Sequence, residues 1–220
     1  MSDLKLTPTL LITAMAFSLF GSKAQATPEQ QFWGWFTKNE STLFDFEKDQ
    51  ERIFDQLAME MKKVNPNLTF EFGPKEDGKR EFVISADGIK EAFPAVISLY
   101  DSAPKLPRWT FIKFRPRREP MDIEYSGVKV EAKDVYFTLE PDGNKAGITV
   151  FISGYTEDQR KTYMGIAFLM LDQALGEYDM ETKVGFINIK DSTDQTPLEK
   201  KALTDLPATF DSFIQFAKKE

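Results

Sequence analysis

The chain has no histidine and no cysteine in its 220 residues. It therefore lacks the side chain that titrates nearest neutral pH and the strongest biological nucleophile. Ser-His-Asp and Cys-His machinery is excluded, and so are thiolate and imidazole metal sites. Disulfides are excluded as well, which leaves the compartment open, because a domain of this size can fold without them. Positive charge is in short supply: 28 Lys and Arg against 35 Asp and Glu give a net charge of −7. That balance argues against a nucleic-acid partner, since such binding runs on phosphate neutralisation. The aromatics are 20 Phe against 3 Trp and 6 Tyr, which points to an aromatic core and away from a surface stacking platform. There is no Gly-x-Ser-x-Gly elbow and no dinucleotide fingerprint, and the turn from Gly143 to Gly147 lacks the Lys-Ser/Thr of a phosphate loop. Carboxylate, lysine, tyrosine and hydroxyl remain for chemistry, and no cofactor and no resident metal is expected.

The apolar run Leu10 to Phe20 is too short to span a bilayer. Lys5 precedes it, and Ala24-Gln25-Ala26 follows with small residues where a signal peptidase needs them. This three-part pattern reads as an export signal over residues 1–26, cleaved before Thr27, with residues 27–220 as one domain. Cleavage removes Asp3, Lys5 and Lys23 and leaves the mature chain one unit more negative. The expected location is periplasmic or extracellular, with no stable membrane insertion after cleavage and, without a following cysteine, no lipid anchor. The alternative is the buried first helix of a cytoplasmic domain. Gly21-Ser22-Lys23 opposes it, as does the lack of a polar face on Leu10 to Phe20.

Phe32-Trp33-Gly34-Trp35-Phe36 is the densest aromatic cluster, either a carbohydrate or membrane-interface patch or an amphipathic turn docked on the domain. Helical spacing of Ile53, Phe54, Leu57, Ala58, Met61 and Val64 predicts a long helix over 41–64, stopped by Asn65-Pro66-Asn67. Leu68 to Phe72 and Arg80 to Ile84 alternate as hairpin strands around the turn Gly73 to Gly78. A helix with Pro94 in its first turn and a strand from Trp109 to Phe114 follow. The second half repeats this order. Val135 to Leu139 and Ile148 to Ile152 form a hairpin around the turn Glu140 to Lys145. Thr156 and Gln159 are spaced as a capping box for a helix that is apolar on nearly every face except Asp172 and Gln173. Gly176 ends it, Lys183 to Ile189 is a closing strand, and Pro207 to Lys218 is a last helix.

Each half reads strand, strand, helix, strand, over 68–114 and 135–189. The expected class is α+β: a duplicated unit forming a mostly antiparallel sheet with helices packed on one face, plus N- and C-terminal helices. Several motifs then resemble a family of uncharacterised bacterial proteins. They are Phe32 to Phe36 with Asn39-Glu40, Phe70-Glu71-Phe72-Gly73, Glu81 to Gly88, Phe114-Arg115-Pro116-Arg117, and Leu171 to Asp179. The resemblance covers roughly the whole mature chain. It implies one domain with no established activity, so no functional residue carries over. Members of that family usually lack an export signal, which keeps a cytoplasmic location as the alternative.

Two constellations could carry function. If the strand continues to Arg117, alternation puts Trp109, Phe111, Lys113, Arg115 and Arg117 on one face, where three cations and two aromatics suit an anionic ligand or a protein partner. The plainer reading is a charged edge strand, or cations paired with Glu119, Asp122 and Glu124. The second constellation is acidic: Asp172, Glu177 and Asp179 could serve a carboxylate-dependent hydrolase or hold a hard metal, although no calcium-loop pattern is present. Asp172 in an apolar helix needs a compensating partner, with Arg115 and Lys113 the first candidates. Glu177-Tyr178-Asp179 otherwise reads as a solvated turn. Ser85 with Lys90 is a conceivable Ser-Lys pair, equally readable as an ordinary helix cap. These residues point first to a non-catalytic binding or interaction domain, and second to the hydrolase.

Overall fold

The computed structural model describes residues 25–217, so the expected export signal lies, except for Gln25 and Ala26, outside the described residues. Helix α1 (Pro28–Lys38) opens on a capping box. The Thr27 hydroxyl accepts from the Gln30 amide at 3.3 Å, and the Gln30 side chain accepts from the Thr27 amide at 3.0 Å. The expected box at Thr156 and Gln159 does not form; a 3-10 turn stands there instead, and Thr156 caps no amide. One face of α1 buries Phe32, Trp33 and Phe36, and the Trp33 indole donates to the Leu99 carbonyl at 2.8 Å. The aromatic cluster is thus the inner side of a docking helix.

The helix expected over 41–64 is broken. Helix α2 (Glu40–Phe44), a 3-10 turn (Phe46–Lys48) and helix α3 (Gln50–Val64) replace it. Residues two apart on a helix point away from each other. Yet Phe44 packs on Trp109 while Phe46 stacks on Phe72, and only a kinked chain satisfies both.

Strands β1 (Thr69–Glu76) and β2 (Lys79–Ser85) form the first hairpin. Each runs further toward the turn than its apolar alternation does, because the chain reverses on Asp77-Gly78, both at positive φ. Helix α4 (Phe93–Asp101) crosses over to strand β3 (Trp109–Lys113), which pairs parallel to β2. A small hairpin follows, strands β4 (Ile123–Tyr125) and β5 (Val128–Val130), which the sequence pattern does not announce. The second unit repeats the topology. Strands β6 (Tyr136–Asp142) and β7 (Lys145–Ile152) are antiparallel, and helices α5 (Arg160–Leu175) and α6 (Glu177–Lys183) cross over to strand β8 (Val184–Asp191), parallel to β7. Strand β9 (Lys201–Ala202) adds to β6, and helix α7 (Leu206–Ala217) ends the described chain.

The class is α+β, with helices at both ends. In place of one mostly antiparallel sheet, the strands form a three-stranded sheet β1-β2-β3, a two-stranded hairpin and a four-stranded sheet β8-β7-β6-β9. The reason is the crossover: a helix between consecutive strands returns the chain parallel to its predecessor, which a hairpin turn cannot do. Each large sheet still carries its helices on one face. In the first, Phe82 and Ile84 of β2 face α1, α3 and α4; in the second, Ile148, Val150 and Ile152 of β7 face α5 and α7. Among the described residues, no helix is long and apolar enough to cross a membrane.

Candidate binding site

The segment that links the two units leaves β3 at Phe114, whose φ of +63° is left-handed. Only packing holds a bulky residue there. The Phe114 ring is buried 4.7 Å from Phe93 and 5.1 Å from Tyr178, between centroids. The twist ends the strand alternation, so the five residues of the expected basic-aromatic face do not share one open surface. Trp109 is buried, its indole donating to Glu40 at 3.3 Å, and Phe111 lies 4.6 Å from the Trp33 ring in the aromatic core. The Lys113 ammonium sits 5.1 Å over the Tyr100 ring. Arg115 and Arg117, past the twist, turn toward the second unit.

Arg115 is nearly used up by the protein. Its Nε and Nη2 donate to the two oxygens of Asp172 at 2.9 and 3.2 Å, a bidentate fork from the linking segment to α5. Its Nη1 donates to Asp87 at 2.8 Å and to the Ser85 hydroxyl at 3.2 Å. Asp172 is therefore shielded and compensated, and its partner is Arg115, not Lys113. Burial pulls the Arg115 pKa down, but the bonds to Asp172 and the charges of Asp172 and Glu177 outweigh it, so the guanidinium stays charged. Ser85 also accepts from the Asp87 amide at 3.0 Å, while Lys90 lies 3.6 Å from Glu181. The two do not form a nucleophile–base pair.

Glu177 is not in a solvated turn. It begins α6 and is fully buried. One oxygen accepts from the amides of Ala86 and Gly88 at 3.0 and 3.1 Å, and the other from the Arg115 amide at 3.0 Å. These three amides belong to the first unit and its linker, so this carboxylate fastens one unit to the other. Gly176 makes the approach possible: its φ is +73°, and a Cβ there would come within 2.9 Å of the Arg115 carbonyl oxygen. Asp179 pairs with Arg117 and Lys183, and Arg117 also grips Asp211 of α7 through two bonds of 2.8 and 2.7 Å. Hydrogen bonding to Asp211 raises the Arg117 pKa against the opposing effect of burial, and Asp179 adds to the rise.

Two cavities flank this linker. A cleft of about 580 Å³ is lined by the polar Glu71, Asp87, Arg115, Arg118, Asp172 and Gln173 and by the apolar Met121, Phe168 and Leu169. A smaller cavity of about 410 Å³ lies against Ile97, Lys113, Arg117, Tyr178 and Asp179. Asp172 and Asp179 thus face different cavities, and Glu177 is sealed in the joint. Among the described residues no three acidic side chains are grouped closely enough to hold a metal ion.

Glu71, Asp87, Arg118, Met121, Phe168 and Leu169 are cleft residues that sequence reasoning missed. Helix α5 is apolar on nearly every face except Asp172 and Gln173, yet Phe168 and Leu169 remain 38% and 42% exposed. Their signal was in that pattern: a helix apolar on every face must leave some apolar side chains uncovered unless it is enclosed on all sides. No protein-family model, curated protein or solved structure matches this chain.

Proposed function

We propose that the chain is an exported, non-catalytic binding protein whose ligand sits in the cleft between the two units, over the Arg115–Asp172 pair. The observation that carries this reading is that the internally satisfied Arg115–Asp172 fork lines the same cleft as the exposed Met121, Phe168 and Leu169. A volume near 580 Å³ falls in the range of small-molecule pockets, and preorganised polar groups beside apolar surface are what such pockets use. The carboxylate hydrolase is supported less well, because paired acids must face one substrate and Asp172, Glu177 and Asp179 have separate structural partners. An anionic ligand is likewise supported less well, since the donors of Arg115 and Arg117 are committed to protein acceptors. Export is supported by the residue-1–26 pattern and by Thr27, the first residue after the expected cleavage, serving as N-cap of α1.

Native mass spectrometry of the protein recovered from its host's envelope tests this reading. The expected result is a chain beginning at Thr27 that carries a small molecule, lost in Phe168→Asp. Hydrolysis of an ester, glycoside or phosphoester panel that Asp172→Asn abolishes would overturn it and install the enzyme.

A further inference from the structure

Strand β3 is an edge of the first sheet: it pairs with β2 and with no other described strand. The Arg108 carbonyl accepts from the Arg80 amide at 2.9 Å, and the Phe114 amide donates to the Ile84 carbonyl at 2.8 Å. Alternation between those two bonds turns the amides and carbonyls of Thr110 and Ile112 toward β2, and those of Phe111 and Lys113 away from it. The Trp109 amide donates to the Leu106 carbonyl at 3.1 Å, but no described residue bonds the outward main chain of Phe111 or Lys113. Against this strand lies a groove of about 670 Å³, lined by Trp109 and Phe111, by Tyr100 of α4 and by Leu106 of the loop that follows. Lys79 and Lys105 also line it, against one acid, Asp101. Other cations of this unit are paired, as Lys75 is with Asp45, Arg80 with Glu47 and Arg108 with Glu40. Among the described residues Lys79, Lys105 and Lys113 join no ion pair, and Lys113 rests over the Tyr100 ring. On a chain of net charge −7, this groove holds an excess of free positive charge.

We propose that the groove is a docking site for an extended acidic segment of a partner protein, which adds to β3 as a further strand. Three features act together. The outward amides and carbonyls of Phe111 and Lys113 match another main chain, the apolar lining takes one of its alternate side chains, and the lysines take flanking carboxylates. Lysine on a sheet edge also keeps stray strands away. That role and this one agree, because the charge that turns most strands away admits an acidic one. A second copy of β3 is disfavoured on the same ground, since it would bring two sets of these lysines together. The groove shares no lining residue with the cleft over Arg115 and Asp172, so the proposal stands apart from what that cleft binds.

The probe is the end-capped peptide Thr-Glu-Thr-Ile-Thr-Glu-Thr, which in extended form presents its glutamates and its isoleucine on one face. It is titrated into isotopically labelled protein and followed by heteronuclear NMR and amide hydrogen exchange. The expected result is a saturable shift of Tyr100, Phe111 and Lys113, with slowed exchange of the Phe111 and Lys113 amides as new strand hydrogen bonds form. Two control peptides should each bind about tenfold more weakly: one N-methylated at its three central residues, and one with lysine in place of glutamate. Lys105→Glu combined with Lys113→Glu should weaken the acidic peptide about tenfold, and an unchanged melting temperature shows that the fold is intact. Binding of the N-methylated peptide as tight as that of its parent reduces the groove to a charged patch and overturns the added strand. Equal binding of the lysine peptide overturns the acidic partner. No shift at Phe111 and Lys113 from any peptide overturns the docking site. Concentration-dependent shifts of those amides without peptide overturn it too, and make a second copy the occupant.

Discussion

The two strand-strand-helix-strand units share a topology and are filled by different chemistry. In the first, the Phe82 ring lies within 6.5 Å of the centroids of Trp33, Phe36, Phe70, Phe72, Trp109 and Phe111. In the second, Ile148, Val150 and Ile152 share a core with Ile166, Met170, Leu171 and Ala174, and with Phe137 and Phe210. The helices bring different residues to the two sheets. Helices α1, α3 and α4 roof the first and supply Phe32, Trp33, Phe36 and Phe93 to its core. Helices α5, α6 and α7 cover the second, and α5 brings the fully buried small residues Ala167 and Ala174 to that core. The shared topology therefore dictates where the apolar face lies and leaves its composition to the layer above.

The aromatic unit also buries a charge at its edge. Arg80 is 2% exposed, with its guanidinium 4.3 Å over Phe46 and paired to Glu47, and its Nε has no acceptor. Arg108 lies 4.3 Å over Phe44 and bonds Glu40. Ring faces carry negative potential and can hold a cation that aliphatic walls would reject.

The joint between the units should be the most sensitive position. Glu177→Ala strands three buried amides across two segments and should cost roughly 4 kcal/mol in urea denaturation. Glu177→Gln should recover part of that, since its oxygen can still accept from Ala86 and Gly88 while its amide faces the Arg115 donor. Loss of cooperativity in the Ala variant, with two unfolding steps, would show that this carboxylate is needed to hold the two cores as one.

Next come the cores themselves. Phe82→Leu should cost about 2 kcal/mol, because the edge-to-face pairs go as well as the volume. Ile148→Val, at a fully buried position on β7 of the aliphatic unit, should cost about 1 kcal/mol. Equal losses would break the distinction between the two packings. Arg80→Met sharpens it further: an apolar chain of similar length in the same box should change stability by less than about 1 kcal/mol, because the buried charge is only partly compensated. A large loss would show that the ring–cation contacts, and not mere filling, hold α2 and α3 on the sheet.

The smallest effect is the pH dependence. The Asp211 carboxyl is lowered by its hydrogen bonds to Arg117, so its stabilisation is present above the unfolded-state pKa and fades as pH falls through the folded one. Glu71 is raised by burial, so its contribution is present at low pH and fades as pH rises through the folded value. Asp211→Asn should flatten the acid limb of the stability profile, and Glu71→Gln should leave stability at neutral pH unchanged or slightly higher. Melting temperatures across pH 3–8 would read both, as an order-of-magnitude window around the ordinary carboxylate range.

Both hairpins, α4 with Pro94 in its first turn, and the all-apolar stretch of α5 were legible because alternation, helical spacing and turn residues are local signals. The small hairpin β4–β5 was not, since strands of three residues carry too little pattern. The break between α2 and α3 was hidden for another reason: the apolar spacing that predicts the helix lies wholly within α3, and only the places of Phe44 and Phe46 around Arg80 require the kink. At the site, Asp172 was legible as a residue needing a partner, because an acid inside an apolar helix has few alternatives. Glu177 was misread, because an acid just past a glycine looks the same whether it caps solvent or is buried against distant amides.

By itself, the sequence determined the α+β class, the repeated order of elements, and the exclusion of histidine and thiolate chemistry. Each of these depends on neighbours within a few residues or on composition alone. Only the tertiary structure decided that the strands divide into separate sheets, that Phe114 twists the chain out of its strand, and that Glu177 and Arg115 join the two units. Those outcomes rest on contacts between residues tens of positions apart, as between Arg115 and Asp172 or Glu177 and Ala86. Such pairs are set by how packed layers meet, and no local spacing records them.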